Sequence, residues 1–158
     1  MKKFYSILLL LSLIGVQCLS AQEPVLFKGK NIVIGTHISI LEDPDNKLHL
    51  EDVQKSKAFV PSKVPIPNLQ LSKSDFWIKF SIKNESDLNK LILALEYPML
   101  GVCEFYSIRD GKVQKMSYNE PFANRKYKHQ NFIFDVDLPK GETASYFLRV
   151  KSSEQMVL

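Results

Sequence analysis

The chain has 158 residues, of which 45% are hydrophobic, and a formal net charge of +4 from 21 basic and 17 acidic residues. So small a basic excess argues against a nucleic-acid-binding protein, and the length fits one ordinary domain. The chain has two cysteines, and Cys18 lies in the N-terminal segment described next. If that segment is removed, Cys103 has no partner for an internal disulfide, and the hydrophobic core must hold the domain together.

The first 21 residues have the order of a secretory signal peptide: a short basic start, an uncharged apolar run and then Ala21. The apolar run is shorter than the roughly 20 residues that cross a bilayer, so cleavage after Ala21 is favoured over a retained anchor. A lipoprotein acylated at Cys18 is the weaker alternative, because bulky Gln17 stands where a small residue is expected. We therefore expect residues 22–158, 137 residues in all, to form one domain in the periplasm or on the extracellular face of the inner membrane.

From residue 25 onward, short alternating apolar and polar segments are separated by turn signals about ten residues apart. Strands are predicted over residues 31–34, 37–41, 74–84, 91–97, 102–108, 112–118, 132–138 and 144–150, with the start of another at residues 155–158. No helical period is sustained for more than two turns. The pattern predicts an all-β, antiparallel sandwich or barrel.

The connections between these strands differ in kind. Pro44 and its acidic neighbours predict a turn, whereas residues 48–53 fit either a short strand or one helical turn. Three prolines make residues 59–71 an irregular crossing. The Asp110–Gly111 step predicts a tight hairpin, and a basic loop covers residues 124–129.

Trp77 is the one tryptophan of the chain, and it lies on the polar side of the strand predicted at residues 74–84. Phe76, Ile78 and Phe80 alternate with Trp77 and Lys79, which places the tryptophan among lysines. Two interpretations stay open: Trp77 lines a ligand site with Lys79, or a loop or second sheet covers it.

Metal and catalytic signatures are weak. The three histidines lie far apart, and the acidic residues 42–46 lack the ligand spacing of a calcium loop. The chain has no G-x-S-x-G motif, and Cys103 fits a buried or half-buried strand position. Asp135 and Asp137 alternate with apolar residues and so indicate a solvated strand face. We therefore expect no metal, no cofactor and no enzymatic activity.

Ligand binding is better supported, because aromatic rings beside charged donors suit a sugar or a small acid. One group of such residues lies on the tryptophan strand, one at the end of the following strand and one in the basic loop. The candidate ligand-binding residues are Trp77, Lys79, Glu96, Tyr97, Arg125 and His129.

Several motifs together resemble the type 2 extracellular sensory domain of bacterial seven-transmembrane receptors with diverse intracellular signalling modules, the 7TMR-DISM family. The resemblance covers residues 33–158. Its motifs lie at residues 41–44, 48–53, 76–80, 84, 95–100, 125–129, 132, 134, 138–142 and 146–150.

The resemblance implies a jelly-roll β-sandwich similar to carbohydrate-binding modules, sensing a small ligand such as a carbohydrate outside the inner membrane. In such receptors a seven-helix membrane region and a cytoplasmic output domain follow, and this sequence contains neither. We therefore expect a fragment whose last strand is truncated, or a domain that works alone. A free-standing secreted carbohydrate-binding or adhesion module, and a structural domain without a ligand, are the alternative functions.

Overall fold

The computed structural model describes residues 22–117 and 122–158, so the predicted signal peptide lies outside the described residues. In these two ranges strands dominate, joined by one short α-helix and by 3₁₀ turns at Gly35–His37 and Phe122–Asn124. The elements are β1 Val25–Phe27, β2 Ser39–Asp43, α1 Leu50–Lys55, β3 Val60–Pro61, β4 Asn68–Gln70, β5 Asp75–Asn84, β6 Lys90–Leu95, β7 Val102–Arg109, β8 Lys112–Ser117, β9 Phe132–Asp137, β10 Thr143–Lys151 and β11 Met156–Val157.

A large sheet of seven strands forms one layer. Its order is β3–β2–β5–β10–β7–β8, and β1 pairs in parallel with the C-terminal end of β5. The remaining pairs in this sheet are antiparallel. Two small antiparallel sheets, β6–β9 and β4–β11, lie against it.

A chain of aromatic rings joins the layers. Tyr146 of β10 stacks on Phe80 at 5.4 Å and on Phe105 at 5.5 Å between ring centroids. Phe105 then meets Phe134 of the β6–β9 sheet at 4.8 Å. Because these rings come from the alternating inward positions of each strand, the predicted antiparallel all-β sandwich is confirmed.

The hairpin between β7 and β8 forms as predicted. Asp110 and Gly111 have φ angles of 50° and 73°, the left-handed pair that a tight two-residue turn requires. The prediction of a strand at residues 31–34 is wrong, because this segment pairs with no strand and leads into the 3₁₀ turn. Gly35, which follows this segment, lies close against the backbone of Pro65. A Cβ at position 35 would be only 1.8 Å from the carbonyl oxygen of Pro65.

The segment that was ambiguous between strand and helix is helical. Asp52 Oδ2 accepts a hydrogen bond from the backbone N–H of His49 at 2.9 Å, which satisfies a donor at the start of α1. Before it, Asp43 Oδ2 accepts from the N–H of Leu48 at 2.8 Å and closes the predicted turn. We call residues 44–59, which carry α1 across the outer face of the large sheet, the strap.

The last residues are part of the fold. Met156 is 1% exposed, β11 pairs with β4, and the N–H of Leu158 donates to Pro67 at 2.9 Å. The predicted start of a strand at residues 155–158 is thus a short paired strand. Within the described part of the chain, no helix has the length and apolar character needed to cross a membrane.

Candidate functional site

Trp77 lies on the outer face of the large sheet, turned away from the main core. Its cross-strand neighbours are Leu41 on β2 and Arg149 on β10. The indole stacks on Tyr106 of β7, with ring centroids 5.7 Å apart and planes inclined by 29°. The guanidinium of Arg149 lies 5.8 Å from the indole centroid, within the range of a cation–π contact.

The strap covers this tryptophan. Trp77 is 1% exposed and belongs to a second core cluster with Leu41, Val53, Tyr106 and Phe147. Val53 comes from α1, so the helix supplies the buried lid of the cluster. Of the two interpretations left open by the sequence, this burial supports the cover. That Trp77 lines a ligand site stays a prediction, and its ring is enclosed in this arrangement of the strap.

A charge network continues from Trp77 across four strands. The Arg149 Nε donates to Asp75 Oδ2 at 2.7 Å, and its Nη2 donates to the same oxygen. Its Nη1 donates to Glu104 Oε2 at 3.4 Å. Glu104 also accepts from Lys115 Nζ at 2.7 Å and from the Tyr106 hydroxyl at 2.9 Å.

Lys151 ties the network to the strap. Its Nζ donates to Asn46 Oδ1 at 2.9 Å. The same nitrogen lies 3.3 Å from Asp75 Oδ1, close enough for an ion pair although not aligned for a hydrogen bond. The first turn of the strap is therefore held by the same charges that lie beside Trp77.

The network shifts the pKa values of Glu104 and Lys115. Burial alone would raise the pKa of Glu104, but hydrogen bonds from Lys115 and Tyr106 and the charges of Lys115 and Arg149 outweigh it and lower the pKa. The hydrogen bond to Glu104 raises the pKa of Lys115. Both groups are thus held in their charged forms.

Lys79 is the charged neighbour of this cluster that stays free of the network. Its Nζ lies 5.7 Å from the centroid of Phe59 in the strap and 5.9 Å from that of Phe147. Among the residues that the structure describes, no carboxylate lies within ion-pair distance of this amine. A half-buried cation over two rings, without an acidic partner, can accept an anionic or hydroxyl-rich ligand.

The other predicted site residues lie elsewhere. Tyr97 packs against the main core and donates its hydroxyl to the carbonyl of Gln155 at 2.7 Å, while Glu96 beside it is exposed. The Arg125 guanidinium lies 4.8 Å from the centroid of Phe132, on the other layer of the sandwich. His129 is exposed, and its Nδ1 accepts a hydrogen bond from the N–H of Asn131 at 3.1 Å.

Arg125 borders a surface depression of about 300 Å³ between β8, β9 and the basic loop. Asp135 forms part of its wall and accepts hydrogen bonds from Lys126 at 2.6 Å and from Tyr127 at 2.7 Å. Of the six predicted residues, the structure thus brings together Trp77 and Lys79 on the outer face. The other four, Glu96, Tyr97, Arg125 and His129, lie apart from them.

The described residues contain neither an exposed thiol nor a cluster of metal ligands. Cys103 is 1% exposed, as its strand pattern predicted, and burial raises the pKa of its thiol far above the usual range. Across residues 22–117 and 122–158, no group of three or more His, Cys, Asp or Glu side chains is placed to hold a metal ion.

The sequence patterns did not predict the charge network. Asp75 and Arg149 are separated by 74 positions, and only the register of β5 against β10 brings them together. A signal was available in the alternation, because Glu104 and Arg149 share the outward positions of their strands with the aromatic residues Tyr106 and Phe147. Such a mixture indicates a covered outer face rather than a solvated one.

A family of known proteins matches this domain. A search of curated proteins gives no significant match. A family model described as 7TMR-DISM extracellular 2 matches residues 35–158, most of the chain and nearly the whole described domain. The chain therefore belongs to the 7TMR-DISM extracellular 2 family, the extracellular domains of receptors that also have transmembrane and intracellular parts.

Proposed function

We propose that the domain is a non-catalytic sensory ectodomain that binds a small ligand, a carbohydrate or a small carboxylate, on the outer face of the large sheet beside the strap. The observation that carries the proposal is Lys79, a half-buried amine over Phe59 and Phe147 without an acidic partner in the described residues. Desolvation makes such a cation favour a ligand oxygen, and the serine hydroxyls of β5 and β10 lie on the same face.

The position of Lys79 suggests how a ligand would be sensed. Phe59 belongs to the end of the strap, so a ligand that engages Lys79 acts where the strap meets the sheet. A ligand shifts a conformational equilibrium only through different affinities for the two states. Strap-down and strap-loosened arrangements would give Lys79 different neighbours, and a membrane partner would read that difference.

The test is a thermal-shift screen of the purified protein against neutral sugars and small carboxylates. A ligand of the native state raises the melting temperature by mass action. We expect a compound that stabilises the parent and Lys83→Met but not Lys79→Met. Lys83 is the matched control because it lies on the same strand and face, beyond the aromatic cluster, in an exposed pair with Glu85.

An equal shift in Lys79→Met would place the site elsewhere, with the depression beside Arg125 as the next candidate. Comparison of hits between the two compound classes identifies the chemistry. A response to carboxylates alone assigns Lys79 a charge-pairing role, and a response to neutral sugars assigns it a hydroxyl-binding role.

A further inference from the structure

Two neighbouring segments build the edge of the large sheet on the β3 side. Val60 of β3 pairs with Ile40 of β2, and beyond this pair the N–H of Ser62 donates to the carbonyl of Ile38 at 2.9 Å. Gly35 lies directly against the backbone of Pro65. Residues 32–38 and 60–66 therefore run side by side as one continuous surface.

Large apolar side chains are exposed along this surface. A set this dense is unusual on a soluble domain and indicates an interaction site. We call it the edge patch: Ile32 at 49% exposure, Val33 at 68%, Val60 at 66%, Val64 at 48% and Ile66 at 63%.

The surroundings of the edge patch are basic. Residues 24–41 and 53–74 contain six lysines and no Asp or Glu, and the nearest acids along the first segment are Glu23 and Glu42. Lys30, Lys57 and Lys63 are exposed, and none has an acidic partner among the described residues. An apolar centre with exposed lysines beside it complements an anionic surface that also accepts apolar groups.

The edge patch is held in a fixed shape. Pro61 and Pro65 restrict the backbone. Ser62 Oγ donates to the carbonyl of Val64 at 3.0 Å, which orders the tip between them. A preordered surface loses little conformational entropy on binding.

We infer that the edge patch docks on the surface of an anionic lipid bilayer. Because the family comprises extracellular domains of receptors with transmembrane parts, a bilayer is the partner that such a domain meets constantly. The lysines would contact lipid phosphates, while the valine and isoleucine side chains enter the boundary between headgroups and acyl chains.

A second copy of the chain fits this surface less well. β3 has two residues, and one is Pro61, which offers no N–H for pairing across a sheet edge. A symmetric contact would also bring the lysines of both copies together, and like charges oppose it.

The experiment is co-sedimentation of the exported chain, residues 22–158, with vesicles of phosphatidylcholine alone and of phosphatidylcholine mixed with phosphatidylglycerol. These residues hold every described strand, and the apolar run of residues 4–16 would itself bind lipid. We expect binding to the anionic vesicles that weakens with salt. The variant Lys57→Glu/Lys63→Glu should lose at least tenfold in affinity, at about fivefold per lysine removed.

Two matched controls separate the edge patch from general charge and hydrophobicity. Lys90→Glu/Lys112→Glu makes the same charge change on exposed residues of β6 and β8 and should bind like the parent. The apolar patch variant, Val33→Ser/Val64→Ser/Ile66→Ser, should bind the anionic vesicles weakly. The control variant, Ile92→Ser/Met99→Ser, changes positions that are 64% and 60% exposed and should bind like the parent.

Three results would overturn the inference. These are no binding to anionic vesicles, equal losses in patch and control variants, or a lipid-free dimer that the patch substitutions dissociate. All substitutions are at exposed positions, so the fold is retained, and circular dichroism of each variant checks this.

Discussion

Asn84, at the end of β5, shows how a single buried residue can hold the sandwich together. Its Nδ2 donates to the carbonyls of Leu88 at 2.5 Å and Leu138 at 2.7 Å. Its Oδ1 accepts from the N–H of Ser86 at 2.9 Å and from the Ser86 hydroxyl at 2.7 Å. The amide thus joins β5 to the turn before β6 and to the end of β9, and every polar atom of the side chain is used.

Asn84→Asp should destabilise the domain by about 3 kcal/mol. The substitution removes the side-chain NH₂ that donates to two buried carbonyl oxygens and places a carboxylate oxygen against them. Urea denaturation measures the difference in the free energy of unfolding. The matched control is Asn31→Asp at an exposed position, for which we expect a change within about 0.5 kcal/mol. Similar costs for the two substitutions would show that the hydrogen bonds of Asn84 contribute little.

Single residues also show how far the sequence alone could lead. In the sequence Asn84 is only one position of the family-like pattern, and its buried role depends on the carbonyl of Leu138, which lies 54 positions away. Trp77 could be assigned to an outward strand position from alternation alone. Whether it was covered depended on where residues 44–59 cross the sheet, and no local pattern fixes such a path.

At the scale of elements, α1 has six residues and is too short to be stable alone, so its helical form depends on what it packs against. Val53 is its buried contact, at 0% exposure, in the cluster with Trp77 and Phe147. This explains why the sequence left the segment ambiguous. The helix and strand propensities of this segment are nearly equal, and packing against the outer face of the sheet stabilises the helix.

Val53→Ala should cost about 2 kcal/mol of unfolding free energy through lost burial and an incompletely filled cavity. Val60→Ala is the control, since its side chain is 66% exposed and should change stability by less than about 0.5 kcal/mol. Thermal and urea denaturation give both values. If the two substitutions proved equal, the strap would not be packed as described.

The long strands were predictable because their hydrophobic alternation and their turns agree. β5, β7 and β8 lie close to their predicted ranges, and the Asp110–Gly111 hairpin forms. The predicted strand at residues 31–34 is absent because an apolar run has the same sequence pattern whether it pairs in a sheet or lies exposed. The exposed edge is a feature of the tertiary structure, and composition alone could not reveal it.

At the scale of the whole molecule, the charge network couples four strands of the large sheet to the strap. Asp75, Arg149, Glu104 and Lys115 lie on β5, β10, β7 and β8, and Lys151 extends the network to Asn46. Because Glu104 is largely buried, its ionisation is linked to folding of the entire sandwich.

The lowered pKa of Glu104 predicts acid sensitivity. The ordinary pKa of a glutamate is 4.5, and folding lowers that of Glu104. Its ionised carboxylate therefore stabilises the fold fully above pH 4.5, and this stabilisation is lost as the pH falls through the folded pKa. Glu104→Gln should therefore be less stable than the parent at neutral pH, by about 2 kcal/mol, and its stability should fall less steeply under acid.

Urea denaturation at a series of pH values from neutral to acidic tests this, with Glu51→Gln as an exposed control. The control should keep the steep acid dependence of the parent. A Glu104→Gln profile parallel to that of the parent would show that other carboxyls cause the acid loss.

The burial of Trp77 also has a spectroscopic consequence. The chain has one tryptophan, so all of its tryptophan fluorescence arises beneath the strap, stacked on Tyr106 and next to the guanidinium of Arg149. The indole Nε1 is buried and has no hydrogen-bond partner in the described residues, so its emission should be blue-shifted and shielded from aqueous quenchers. The protein thus carries a built-in optical probe at one defined place, and a red shift would report the strap lifting without any added label.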